Sequence, residues 1–221
     1  PMAATRNGVK FWKQGGEDAT LRPDCLPTVS RAASSPATQR DRMLRPIRIL
    51  YLGGLSHEQS YPVFDPTDYF AALDTILSAP IQLRGEVAVA VKPRPFWEDT
   101  NWYAGVTGVH RMIKQTVPLA TILMDYDVVV CLELSSGALL EAIGFGCIAV
   151  AVSSDPSDPR WQSERFARIH SVVDSTVVPV VEPAHYWTFI ESLVKEPQVA
   201  TDLRKRQRKW LREQLDTASP S

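Results

Sequence analysis

Residues 127–152 read DVVVCLELSSGALLEAIGFGCIAVAV, and the succession of residue types in this stretch decides the fold. DVVVCLEL (127–134) is a continuous apolar run rich in β-branched residues, the pattern of a strand buried on both faces. SSG (135–137) interrupts it, ALLEAIGFG follows with helical spacing, and CIAVAVSS (147–154) is a second buried strand. Strand, turn, helix and strand form one βαβ unit, and such units pair in parallel with a right-handed crossover.

The same alternation continues on both sides. Upstream, IRILYLGG (47–54) is an apolar strand ending in two glycines. PTDYFAALDTILSA (66–79) follows with helical spacing at Tyr69, Phe70, Leu73, Ile76 and Leu77, Thr67 or Asp68 as cap and Pro80 as stop. EVAVAVKP (86–93) is a second strand. A helix is expected over VTGVHRMIKQ (106–115), and a short one over PLATILMDY (118–126) with Leu119, Ile122 and Leu123 inward. Downstream come a helix over WQSERFARIHSVV (161–173), a fifth strand TVVPVVE (176–182), and helices in HYWTFIESLVKE and TDLRKRQRKWLREQL. The expected fold is α/β: a Rossmann-like, doubly wound parallel sheet of about five or six strands over residues 47–221. Residues 1–46, with GG, RPD, LPT and SSP, read as an irregular N-terminal arm or linker.

Composition narrows the function. Twenty-four Lys and Arg balance 25 Asp and Glu, so there is no global attraction to nucleic acid, and anion binding must be local. Cys25, Cys131 and Cys147 have no zinc spacing and read as reduced, packed thiols of a cytoplasmic protein. No run is long and apolar enough for a membrane span. The tail LRKRQRKWLRE places six basic residues around Leu203, Trp210 and Leu211, which fits a solvated face on a packed helix, with peripheral contact to the inner face of a membrane as the alternative.

In a doubly wound sheet the ligand lies beyond the carboxyl ends of the strands, where loops enter helix N-termini. Ser135, Ser136 and Gly137 fall there. Unpaired N–H groups, the helix dipole and two hydroxyls suit a phosphate, and a glycine lets it approach the backbone. The competing reading is a plain serine cap with Glu141 near the first turn.

The run YDVVVCLELSSGALLEAIGFGCIAVAV resembles the donor-binding, carboxyl-terminal half of GT-B glycosyltransferases of the bacterial surface-polysaccharide type. There a strand D-x-V-I-x precedes S-S/T-x-x-x-E-A-x-x-x-G-x-P-x-I. Ser135 and Ser136 match the phosphate-contacting pair, and Glu141, Ala142 and Gly146 match the E-A and G positions; Cys147-Ile148 replaces Lys-Pro. VKPRP (91–95) resembles the family's K-x-H-P, with Lys92 kept and Arg94 in the histidine's place. Arginine can clamp a phosphate through two N–H groups but cannot act as a base near neutral pH.

The resemblance implies a nucleotide-sugar donor, CMP-linked ahead of UDP- or GDP-linked, no other cofactor and no metal. Lys92, Arg94 and Ser135–Gly137 would hold phosphate, while Gly53, Gly54, His57, Glu141 and Glu182 would lie near the donor sugar or ribose. No residue is assigned as catalytic. A GT-B enzyme has two Rossmann-like halves and only one can be built here, so an acceptor-binding half or partner chain is expected. A non-catalytic nucleotide- or partner-binding module and a sugar-nucleotide epimerase-like enzyme remain the alternatives.

Overall fold

The computed structural model describes residues 4–5, 8–14, 17–20, 45–53, 66–93, 103, 108–132, 137–152 and 177–218. In chain order its strands are β1 (Ala4–Thr5), β2 (Gly8–Gln14), β3 (Glu17–Thr20), β4 (Ile47–Leu52), β5 (Val87–Lys92), β6 (Val109–Met112), β7 (Val128–Cys131), β8 (Ile148–Val152) and β9 (Val180–Val181). Its α-helices are α1 (Pro66–Leu77), α2 (Gly137–Gly144), α3 (Pro183–Lys195) and α4 (Pro197–Ala218).

Six strands form one parallel sheet in the order β6-β5-β4-β7-β8-β9. Counted from β4 this is 3-2-1-4-5-6, the doubly wound order, with the chain reversing direction between β4 and β7. The central strands have no solvated face: every residue of β7 and β8 is buried, as are the last four of β4. Continuous Val, Ile, Ala and Leu runs are what such a position demands.

Right-handed crossovers put α1 and α2 on opposite faces. Ala72, Leu73, Ile76 and Leu77 line the buried side of α1, and Leu139, Leu140, Ala142 and Ile143 that of α2. α3 packs on α1, where Trp187 Nε1 donates to the Thr75 carbonyl at 2.6 Å, and α4 packs on α2 and β8. α1, α3 and α4 all begin on proline, whose missing N–H costs nothing at a first helical position. Pro197 also forces Glu196 out of helical geometry (φ −121°, ψ 77°), so the chain breaks there between α3 and α4. α2 closes differently: Gly146 is left-handed (φ 81°), its N–H meets the Ile143 carbonyl at 3.0 Å, and the Cys147 N–H meets that of Ala142 at 2.9 Å.

Four sequence readings differ from the structure. VHRM, expected to be helical, is the edge strand β6: pairing with β5 supplies the hydrogen bonds, and its residues are mostly exposed. Gly108 enters that strand against the end of α1, where a Cβ would meet the Leu77 carbonyl oxygen at 2.0 Å. PLATILMDY forms two 3-10 turns, Leu119–Thr121 and Leu123–Asp125, instead of an α-helix, with Leu123 buried. The fifth expected strand shrinks to the two residues of β9. Within the arm read as irregular, β1–β3 form a small antiparallel meander in which Gln14 pairs with Glu17, the register of a two-residue hairpin. The helix expected over 161–173 lies outside the described residues.

Candidate functional site

The carboxyl edge of the sheet is organised around Leu52, which pairs with Lys92 on one side and Cys131 on the other. Gly53 follows Leu52, and its N–H donates to the Lys92 carbonyl at 3.0 Å. The chain then leaves β4 and β7 on either side of the topological switch point, and α2 starts at Gly137 on the β7 side. A helix N-terminus here offers unpaired N–H groups and a positive dipole end to an anion.

Lys92 is 5% exposed, and its Nζ donates to the Gln115 carbonyl at 3.1 Å. Burial lowers its pKa from the usual lysine value, because the charged ammonium is desolvated. Glu141 sits one turn into α2, partly buried, and that burial pushes its carboxyl above the usual range. Glu182 leaves β9 at the same edge and is the residue preceding α3. Its carboxylate makes no cap hydrogen bond and faces His185 Nδ1 at 3.4 Å, with both side chains well exposed. β9 is three strands from β4, roughly 14 Å at normal strand spacing, so Glu182 and Gly53 mark opposite ends of the crevice.

The structure therefore brings Gly53 and Lys92 into contact, sets Gly137 and Glu141 on the helix at the switch point, and places Glu182 at the far end. Ser135, Ser136, Arg94, Gly54 and His57 lie outside the described residues. The sequence reading assigned no part to Gln115 or His185. Gln115 acts through its backbone carbonyl, which no residue type reveals; the Glu-x-x-His spacing of 182–185 was the available signal for the other.

The opposite edge is structural. Asp127, 6% exposed, accepts two bonds from the Arg45 guanidinium at 3.0 and 3.2 Å and one from the Arg48 N–H at 3.0 Å. Cys147 is buried, and its Sγ donates to the Leu123 and Tyr126 carbonyls at 3.2 and 3.3 Å. Among the described residues no group of three His, Cys, Asp or Glu is placed to hold a metal, and no helix is long and apolar enough to cross a membrane.

No family model matches the chain, and no curated protein matches its sequence. Solved structures match its shape. The wall teichoic acid polymerase TagF superposes with a TM-score of 0.54 at 10% identity, over 99% of this chain and 62% of that one. A trehalose-6-phosphate synthase studied for glycosyltransfer with retention gives 0.51 at 12% identity, over 99% and 53%. An E. coli trehalose-6-phosphate structure bound with UDP-2-fluoro glucose gives 0.52 at 11% identity, over 94% and 50%. The chain spans about half the length of most of the solved chains it matches. At these identities the likeness is one of fold: a single parallel α/β sheet corresponding to one half of the GT-B architecture.

Proposed function

We propose that this chain is the donor-binding half of a glycosyltransferase that moves a sugar from a nucleotide-sugar to a glycan or lipid-linked acceptor. The observation carrying the reading is the start of α2 at the switch point, beside the Gly53–Lys92 edge, directly after the Ser135-Ser136 pair. The donor's phosphodiester or diphosphate there would meet the α2 N–H groups and dipole, the serine hydroxyls and Arg94. Charge developing on the leaving phosphate would be stabilised electrostatically, without a metal. Glu141 and Glu182 would face the sugar and ribose hydroxyls. A CMP-linked donor is favoured ahead of UDP- and GDP-linked ones. The acceptor would come from a second half, in the same or a partner chain.

Peripheral membrane contact would use the outward face of α4, where Lys205, Arg206, Lys209 and Arg212 are exposed. Leu203, Gln207 and Leu211 of the same helix are buried.

Calorimetric titration with CMP, UDP and GDP tests the proposal. One nucleotide is expected to bind, more weakly after Ser136→Ala and after Arg94→Ala. Binding unaffected by either substitution would move the site elsewhere.

A further inference from the structure

We infer that Lys92 is a positioning residue: its buried ammonium holds the turn after β6 over the β5 end of the crevice, and nucleotide binding depends on that turn being held. The inference rests on the donor-site reading above.

Two successive residues of β5 tie down the same segment. The Val91 carbonyl accepts the Ile113 N–H at 2.8 Å, and Lys92 Nζ donates to the Gln115 carbonyl at 3.1 Å. Between them the turn closes on itself, the Val117 N–H meeting the Lys114 carbonyl at 3.1 Å. The first anchor is the continuation of the β5–β6 ladder and would form with any side chain. The second is not part of any ladder. Gln115 lies beyond the last paired residue of β6, where the β5–β6 ladder has ended.

Desolvating a lysine is costly, which is why buried lysines are rare unless paired. Lys92 is nonetheless 5% exposed, and among the described residues its acceptor is a neutral carbonyl rather than a carboxylate. A purely structural strand end would be filled more stably by a leucine or methionine. The cation at this position therefore does something apolar packing cannot do: it draws a carbonyl inward and leaves positive potential under the rim, next to the Gly53 backbone.

The test compares Lys92→Met with Lys92→Arg. Methionine fills similar volume without a donor, and arginine keeps the cation. Backbone hydrogen exchange is measured for residues 113–117 and, as an internal control, for Val89 and Val129 in the sheet. Binding of CMP, UDP and GDP is titrated on the same samples. In Lys92→Met, exchange at 114–117 should accelerate roughly tenfold or more with Ile113 and the sheet amides unchanged, and nucleotide affinity should fall by a similar factor. Lys92→Arg should restore both.

Unchanged exchange at 114–117 in Lys92→Met overturns the inference, whether or not affinity falls; a fall alone would make Lys92 a direct phosphate ligand. Faster exchange with undiminished affinity overturns it too, because the held turn would then not matter to binding. If the unsubstituted chain, joined by its second half, binds no nucleotide, the donor-site reading fails, and with it the claimed link to binding. The exchange data alone would then decide whether Lys92 anchors the turn.

Discussion

The side-chain amide of Gln207 pairs with both backbone groups of Ala149: the Ala149 N–H donates to Oε1 at 2.9 Å, and Nε2 donates to the Ala149 carbonyl at 2.8 Å. Nε2 also reaches the Val177 carbonyl at 3.2 Å. Alternate residues of β8 turn their backbone groups to opposite neighbours. Ile148 bonds towards β7, while the Ala151 N–H meets the Pro179 carbonyl on the β9 side. Ala149 faces that same side below the point where β9 begins, and the fully buried amide from α4 takes the place of the missing strand.

Gln207→Leu should therefore cost far more than an ordinary helix substitution. It leaves the Ala149 N–H and carbonyl and the Val177 carbonyl without their partner, a loss of about 3 kcal/mol. Urea unfolding of the variant against the parent chain measures it. A loss within the range of surface substitutions would show that water replaces the amide.

Asp127 ties the start of β7 to the start of β4 at the amino edge, taking a bidentate pair from Arg45 and the Arg48 N–H. Asp127→Ala should destabilise by about 2 kcal/mol, and Asp127→Asn by less, because the amide oxygen can still accept from Arg48. Thermal melts of the two variants should rank in that order. Neither should alter nucleotide affinity, since the edge is opposite the crevice.

Two glycines separate close approach from backbone conformation. At Gly108 a Cβ would lie 2.0 Å from the Leu77 oxygen and 2.8 Å from Ser78 Cα, both backbone atoms that cannot swing away. Gly108→Ala must shift the crossover or the end of α1, at a cost of about 3 kcal/mol. At Gly146 the demand is φ 81°, and Gly146→Ala should cost about 1 kcal/mol. Equal melting temperatures for the two variants would contradict this.

Glu141 gives a pH signature. Folding raises its carboxyl pKa above the usual value of 4.5 through burial, so the unfolded chain releases this proton more readily than the folded one. Its contribution to stability is fully present below that value and is lost as pH rises through the raised one. Glu141→Gln removes the ionisation. The variant should gain stability over the parent at pH 7 and show no gain well below pH 4.5, as read from chemical unfolding at the two pH values.

The parts of this fold legible in the sequence are those where burial on both faces leaves one choice of residue. β4, β5, β7 and β8 announce themselves as continuous apolar runs, and α1 by its spacing. β6 does not, because Val109, Met112 and Ile113 also satisfy a helical period and only the neighbouring β5 decides the matter. Leu119–Asp125 has helical spacing too, but it folds as 3-10 turns. Gln207 sits among six basic residues in a tail that reads as solvated, and nothing local distinguishes it as a wholly buried polar side chain. At the site, the strand ends and the α2 start put Gly53, Lys92 and Gly137 at one edge of the sheet. What the sequence could not convey was the direction of the Lys92 ammonium, since its partner is a main-chain carbonyl on a segment twenty-three residues away.

The central claim is that a nucleotide's phosphates sit at the switch point. Amide chemical-shift mapping by NMR, with CMP, UDP and GDP added in turn, tests it most directly. One nucleotide should shift the Gly53, Leu132, Gly137 and Ala138 amides at the carboxyl edge and leave Arg48 and Asp127 at the amino edge unmoved. Shifts centred on the amino edge, or none with any of the three when the second half is present, would contradict it.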